Sequence, residues 1–126
     1  MDRTEILLLL KRELVSFFDE LIELLPEESD LVIARILVDT SQVPITEIME
    51  YIVTRLLPLK NLVKNRTDSF FLDNNILFES FERNKVNYFK KLWLEGDLGS
   101  ENKAVIWDWF RAFLNLAERY QRVSSA

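Results

Sequence analysis

Apolar residues recur at helical spacing in two long stretches, one near each end of this 126-residue chain. No other feature limits the fold as strongly, because such spacing makes an amphipathic helix with one side turned to a core. The first stretch predicts a helix over residues 3–25, which Asp2 or Thr4 can cap and which Pro26 ends because proline lacks the next hydrogen-bond donor. Its apolar stripe consists of Leu7, Leu10, Leu14, Phe17, Phe18, Leu21, Leu24 and Leu25.

The second stretch predicts a helix over residues 101–123, capped by Ser100. One face consists of Ile106, Trp109, Phe110, Phe113, Ala117 and Tyr120, and Trp107, Leu114 and Leu116 widen it. A helix that is apolar over most of its circumference is surrounded by other helices or covered by a partner. We favour a central position, since the chain has enough other helices to surround it.

Further helices are predicted between these two. One follows a cap at Ser29 or Asp30, fades near residue 40, and carries Leu31, Val32, Ile36 and Leu37. The next opens at Pro44, is kinked or divided at Pro58 and continues to about residue 66. Another spans residues 84–94. Together these elements predict an all-α fold, a compact bundle of about five helices that forms a single domain over residues 1–126.

The composition removes the usual residues of catalysis and cofactor binding. The chain has no histidine, no cysteine and two glycines, although 48% of it is apolar. Histidine and cysteine dominate metal and nucleophile chemistry, and glycine-rich loops bind phosphate. The paired acids, such as Glu27 and Glu28, lie in an acidic stretch that is typical of a solvated helix face. We therefore predict no enzyme activity, no catalytic residue, no metal, no cofactor and no small-molecule ligand.

Charge is distributed unevenly along the chain. Residues 1–30 contain nine acidic and three basic residues, a net charge of −6, and residues 55–91 contain eight basic and four acidic residues, a net charge of +4. The two segments can attract each other within one fold, or they can orient the molecule against a partner or a copy of itself. The overall charge of −5 argues against a general affinity for nucleic acid or anionic membrane.

An intracellular location is expected. Without cysteine there are no disulfides and no sign of an oxidising compartment. The apolar run over residues 6–10 is too short for a signal peptide or a membrane span.

The leading functional hypothesis is a non-enzymatic structural or protein-interaction protein, with a homodimer as one form. The candidate contact residues exceed what their own segments need for a core, and they are Leu8, Leu9, Phe70, Phe71 and Trp107. Residues 67–81 allow two interpretations, a lid on the core or an aromatic docking patch. The lid is favoured, because phenylalanines left in water would promote aggregation.

The alternative hypothesis is a nucleic-acid-binding accessory protein that uses the basic region 55–91. Its candidate contacts are Arg55, Lys60, Lys64, Arg66, Lys85, Lys90 and Lys91. Lysines interleave with aromatic residues over residues 85–93, a pattern that can touch phosphates and stack on bases. Helical spacing places the apolar members of this segment together, which is also typical of a core face with lysines in solvent.

Several segments resemble small all-helical proteins encoded by nucleocytoplasmic large DNA viruses. The resemblance covers residues 70–78, 85–93, 102–110 and 116–120, and more loosely residues 56–60. It implies a viral protein that is part of the virion or acts on host components in the cytoplasm or nucleus. It assigns no activity and no functional residue.

Overall fold

The computed structural model describes residues 2–72, 93 and 99–125, and no strand occurs among them. The fold is therefore all-α, as predicted. The α-helices of the described residues are α1 (Arg3–Leu24), α2 (Ser29–Asp39), α3 (Ile45–Tyr51), α4 (Lys60–Lys64), α5 (Ser69–Leu72) and α6 (Gly99–Ser125). The helix predicted over residues 84–94 lies outside the described residues except for Trp93, which is helical.

Helix α1 begins and ends where its sequence signals indicate. The Oδ1 atom of Asp2 accepts a hydrogen bond from the backbone N–H of Glu5 at 2.8 Å, which satisfies one of the unpaired donors of the first turn. The helix ends at Leu24, two residues before Pro26. Its buried side chains lie at helical spacing and are Ile6, Leu10, Leu14 and Phe17.

Helix α2 starts one residue earlier than its predicted caps require. Glu28 occupies the N-cap position and makes no side-chain capping bond, so Ser29 and Asp30 lie within the first turn rather than before it. At the other end, Ser41 adopts a left-handed backbone with φ of 60°. The N–H of Thr40 still bonds to the carbonyl of Ile36 at 2.9 Å.

The third predicted helix is divided at Pro58, as expected. After α3, a π-helical turn over Ile52–Leu56 leads into a 3-10 turn over Leu57–Leu59. The N–H of Leu57 bonds to the carbonyl of Ile52, five residues back. Proline cannot donate in the following position, so the regular ladder does not resume until α4.

The chain forms two compact units. Unit 1 comprises Met1–Leu57 and Phe113–Ala126, and unit 2 comprises Pro58–Ala112. Helix α6 begins at Gly99, which has a left-handed φ of 77°, and it supplies residues to both units. A single domain over residues 1–126 stays a prediction.

Each unit has its own apolar core, and the described residues include no fully buried charged or polar side chain. In unit 1, α1 packs against α2 and α3. The buried side chains of unit 1 are Ile6, Leu10, Leu14, Phe17, Val38, Met49, Ile52, Leu56, Phe113, Leu114, Leu116, Ala117 and Tyr120. Those described for unit 2 are Val63, Phe70, Phe71, Trp93, Ile106 and Trp107.

Candidate protein-contact surface

Helices α1 and α2 form an antiparallel hairpin within unit 1. The ammonium of Lys11 donates to the Oγ atom of Ser41 at 2.8 Å, and the Nε atom of Arg35 donates to the Oδ1 atom of Asp19. The sequence positions of these two pairs run in opposite directions along the two helices. The hairpin therefore has one end at the α1–α2 connection and another end where Lys11 meets Ser41.

The outward face of α2 carries three exposed aliphatic side chains. Val32 is 42% exposed, Ile33 53% and Ile36 46%, whereas Val38 on the inward face is 7% exposed. Residues three and four apart share one face of a helix, so these three form one continuous group. We call Val32, Ile33 and Ile36 the α2 strip.

The α2 strip is bounded along the helix by hydroxyl residues and by the acidic residues Glu28 and Asp39. Ser29 and Thr40 are exposed and lie at helical spacing from Ile33 and Ile36. The hydroxyl of Thr40 donates to the backbone carbonyl of Ile36 at 2.6 Å, so its donor is already satisfied.

Charged residues lie at one edge of the strip, where they are paired within the hairpin. Besides its bond to Asp19, Arg35 lies 3.9 Å from Asp39. The hydrogen bond that Arg35 donates to Asp19, together with the negative charge of Asp19, raises the pKa of Arg35 above its ordinary value. These charges lie in solvent and contribute little to folding, and they mark the boundary of the apolar face.

The two ends of the hairpin differ in charge, because one end is acidic and the other carries both signs. Acidic residues cluster where α2 begins, at Glu27, Glu28 and Asp30. Where α2 ends, Asp39 is exposed, and the basic residues nearby belong to α1, where Lys11 is bound to Ser41 and Arg12 follows it.

The structure buries three of the five predicted contact residues. Phe70, Phe71 and Trp107 are at most 4% exposed and belong to the core of unit 2, so they are not available at the surface of this chain. Leu8 is 62% exposed, and Leu9 is half-buried. For Phe70 and Phe71, the lid interpretation therefore agrees with their burial.

The buried rings of unit 2 form one aromatic cluster. The ring of Phe71 lies 4.5 Å from that of Trp93 and 4.7 Å from that of Trp107, and Phe70 and Phe71 are 5.0 Å apart. The indole N–H of Trp93 donates to the Oδ1 atom of Asp68 at 2.9 Å. Tilted and edge-on aromatic contacts of this kind stabilise a core beyond the area they bury.

The nucleic-acid candidates are described only in part. Arg55, Lys60, Lys64 and Arg66 are exposed, whereas Lys85, Lys90 and Lys91 lie outside the described residues. The guanidinium of Arg66 pairs with the carboxylate of Asp108 on α6 at 2.8 Å. Lys60 and Lys64 are one turn apart on α4 and share a face.

The sequence pattern named Val32 and Ile36 among the apolar residues of the second helix and did not single out Ile33. Apolar residues surround α2 on nearly all sides, at positions 31, 32, 33, 36, 37 and 38. A helix packed mainly against one neighbour cannot bury its whole circumference. The excess of apolar residues on α2 therefore indicated that one side of the helix stays exposed, but it did not indicate which side.

Within the ranges that the structure describes, no group of acidic residues is arranged to hold a metal ion. None of the described helices combines the length and the apolar character that crossing a membrane requires.

No protein-family model matches this chain, and neither the curated proteins nor the solved structures contain a match to it.

Proposed function

We propose that this chain is a non-enzymatic protein-interaction protein that binds through the α2 strip. The observation that carries the proposal is the group of three neighbouring, half-exposed aliphatic side chains on the outward face of α2, with the charges of Arg35 and Asp39 at its edge. Single exposed apolar residues are ordinary on protein surfaces, but a contiguous group on one helix face is typical of a contact site.

The energetics favour covering the strip. Fully burying a valine or isoleucine contributes about 1.5–3 kcal/mol, so removing the exposed half of each would contribute about 1 kcal/mol per residue. Valine and isoleucine have few side-chain rotamers in a helix, so ordering them on binding costs little entropy.

Leu8 is a weaker candidate for a contact than the α2 strip, although its side chain is more exposed than those of the strip. Its neighbours on the outward side of α1 are Glu5 and Arg12, both exposed and charged. A partner that covers Leu8 must also displace water from those charges, which reduces the gain. We therefore expect Leu8 to contribute at the rim of a contact rather than at its centre.

Site-specific photo-crosslinking tests this function. A photoreactive amino acid replaces Ile33 on the strip, and in a matched chain it replaces Val105, an exposed aliphatic residue of unit 2. In the cells that make the protein, we expect position 33 to give defined adducts with this chain or with another protein. Position 105 should give adducts at a clearly lower yield. Equal labelling from both positions would contradict a specific contact at the strip.

We further propose an intracellular protein, and the resemblance to viral proteins points to the virion or to host components as its setting. Mass spectrometry of purified particles tests the virion role. Presence at constant stoichiometry after protease treatment of the particle surface is expected for a packaged component, and absence would contradict that role.

Nucleic-acid binding is the second candidate, favoured by the shared exposed face of Lys60 and Lys64. Binding through phosphates weakens steeply with salt. Retention of DNA or RNA at physiological salt that is lost in a Lys60→Glu, Lys64→Glu variant would support it. Complete loss of retention at that salt in the unaltered chain would contradict it.

A further inference from the structure

We draw no further inference here: the strongest candidate, the apolar surface patch that Val32, Ile33 and Ile36 form on the outward face of α2, belongs to the site already described, and nothing in the structure shows what covers it.

Discussion

Two residues adopt a left-handed backbone just after a helix, although neither is glycine. Ser41 has φ of 60° and Arg66 has φ of 50°. At Arg66 the turn closes as a Schellman motif, in which Thr67 N–H bonds to the carbonyl of Leu62 at 2.8 Å. Both side chains also make a tertiary bond, Ser41 with Lys11 and Arg66 with Asp108. We infer that these bonds offset part of the backbone cost of the left-handed conformation.

Replacing Ser41 with glycine should stabilise the protein. Glycine removes the steric cost of the left-handed conformation, which exceeds the entropy that glycine adds to the unfolded chain and the exposed bond to Lys11. We expect a gain of about 0.5–1 kcal/mol in the free energy of unfolding, measured by urea titration. The matched Gln42→Gly variant, at a neighbour without positive φ, should lose a similar amount. A loss in Ser41→Gly would show that the side-chain bond outweighs the backbone cost.

Trp107 allows a test of core packing, because its side chain belongs to the core of unit 2. Its side chain is 4% exposed, and its ring lies 6.1 Å from that of Phe70 and 4.7 Å from that of Phe71. Trp107→Ala should lower the free energy of unfolding by about 3–5 kcal/mol, measured by urea titration. Val105→Ala on the exposed side of the same helix should cost under about 0.5 kcal/mol. A small loss at Trp107 would return it to the list of contact residues.

At the scale of elements, the two helices of the hairpin differ in how they begin. Helix α1 has a side-chain cap from Asp2, whereas Glu28 at the N-cap of α2 makes no such bond. A glutamate side chain is one methylene longer than the short acceptors that caps favour. The start of α2 is therefore less well satisfied than the start of α1, and α2 also carries the proposed contact.

Shortening the N-cap side chain of α2 should strengthen the helix without a change of charge. We expect Glu28→Asp to raise the free energy of unfolding by about 0.5–1 kcal/mol, because the aspartate oxygen can accept from an N–H of the first turn. The Glu27→Asp variant, one position outside the cap, should have no effect. Thermal unfolding followed by circular dichroism measures both, and equal shifts in the two variants would exclude a capping effect.

At the scale of the whole molecule, the two units share one continuous helix, α6. All three tryptophans, Trp93, Trp107 and Trp109, belong to unit 2. Tryptophan fluorescence therefore reports on unit 2, while far-ultraviolet circular dichroism reports on the helices of both units.

We expect the two signals to give the same urea midpoint, because unfolding either unit removes packing from the shared helix α6. Arg111→Pro, next to the boundary between the units, should break that helix and separate the two midpoints. The Arg111→Ala variant should keep them together. Different midpoints in the unaltered chain would contradict a single cooperative domain.

Much of the local structure could be predicted because its causes are local. The cap at Asp2, the end of α1 before Pro26 and the division at Pro58 all follow from which backbone donors a residue supplies or lacks.

The contact surface could not be predicted with the same success, because exposure depends on what packs against each side chain. Phe70 and Phe71 exceeded the needs of their own short segment, but Trp93 and Trp107, which are distant in sequence, bury them. Val32 and Ile36 fitted a core stripe equally well, but α1 covers the opposite side of α2.

By itself, therefore, the sequence determined the all-α class, the limits of α1, the break at Pro58 and the absence of histidine and cysteine chemistry. Only the tertiary structure decided which apolar side chains remain in contact with water, and with them the position of the candidate surface on α2. The physical reason is that helical spacing records which residues share a face, whereas burial depends on the atoms that distant segments bring to that face.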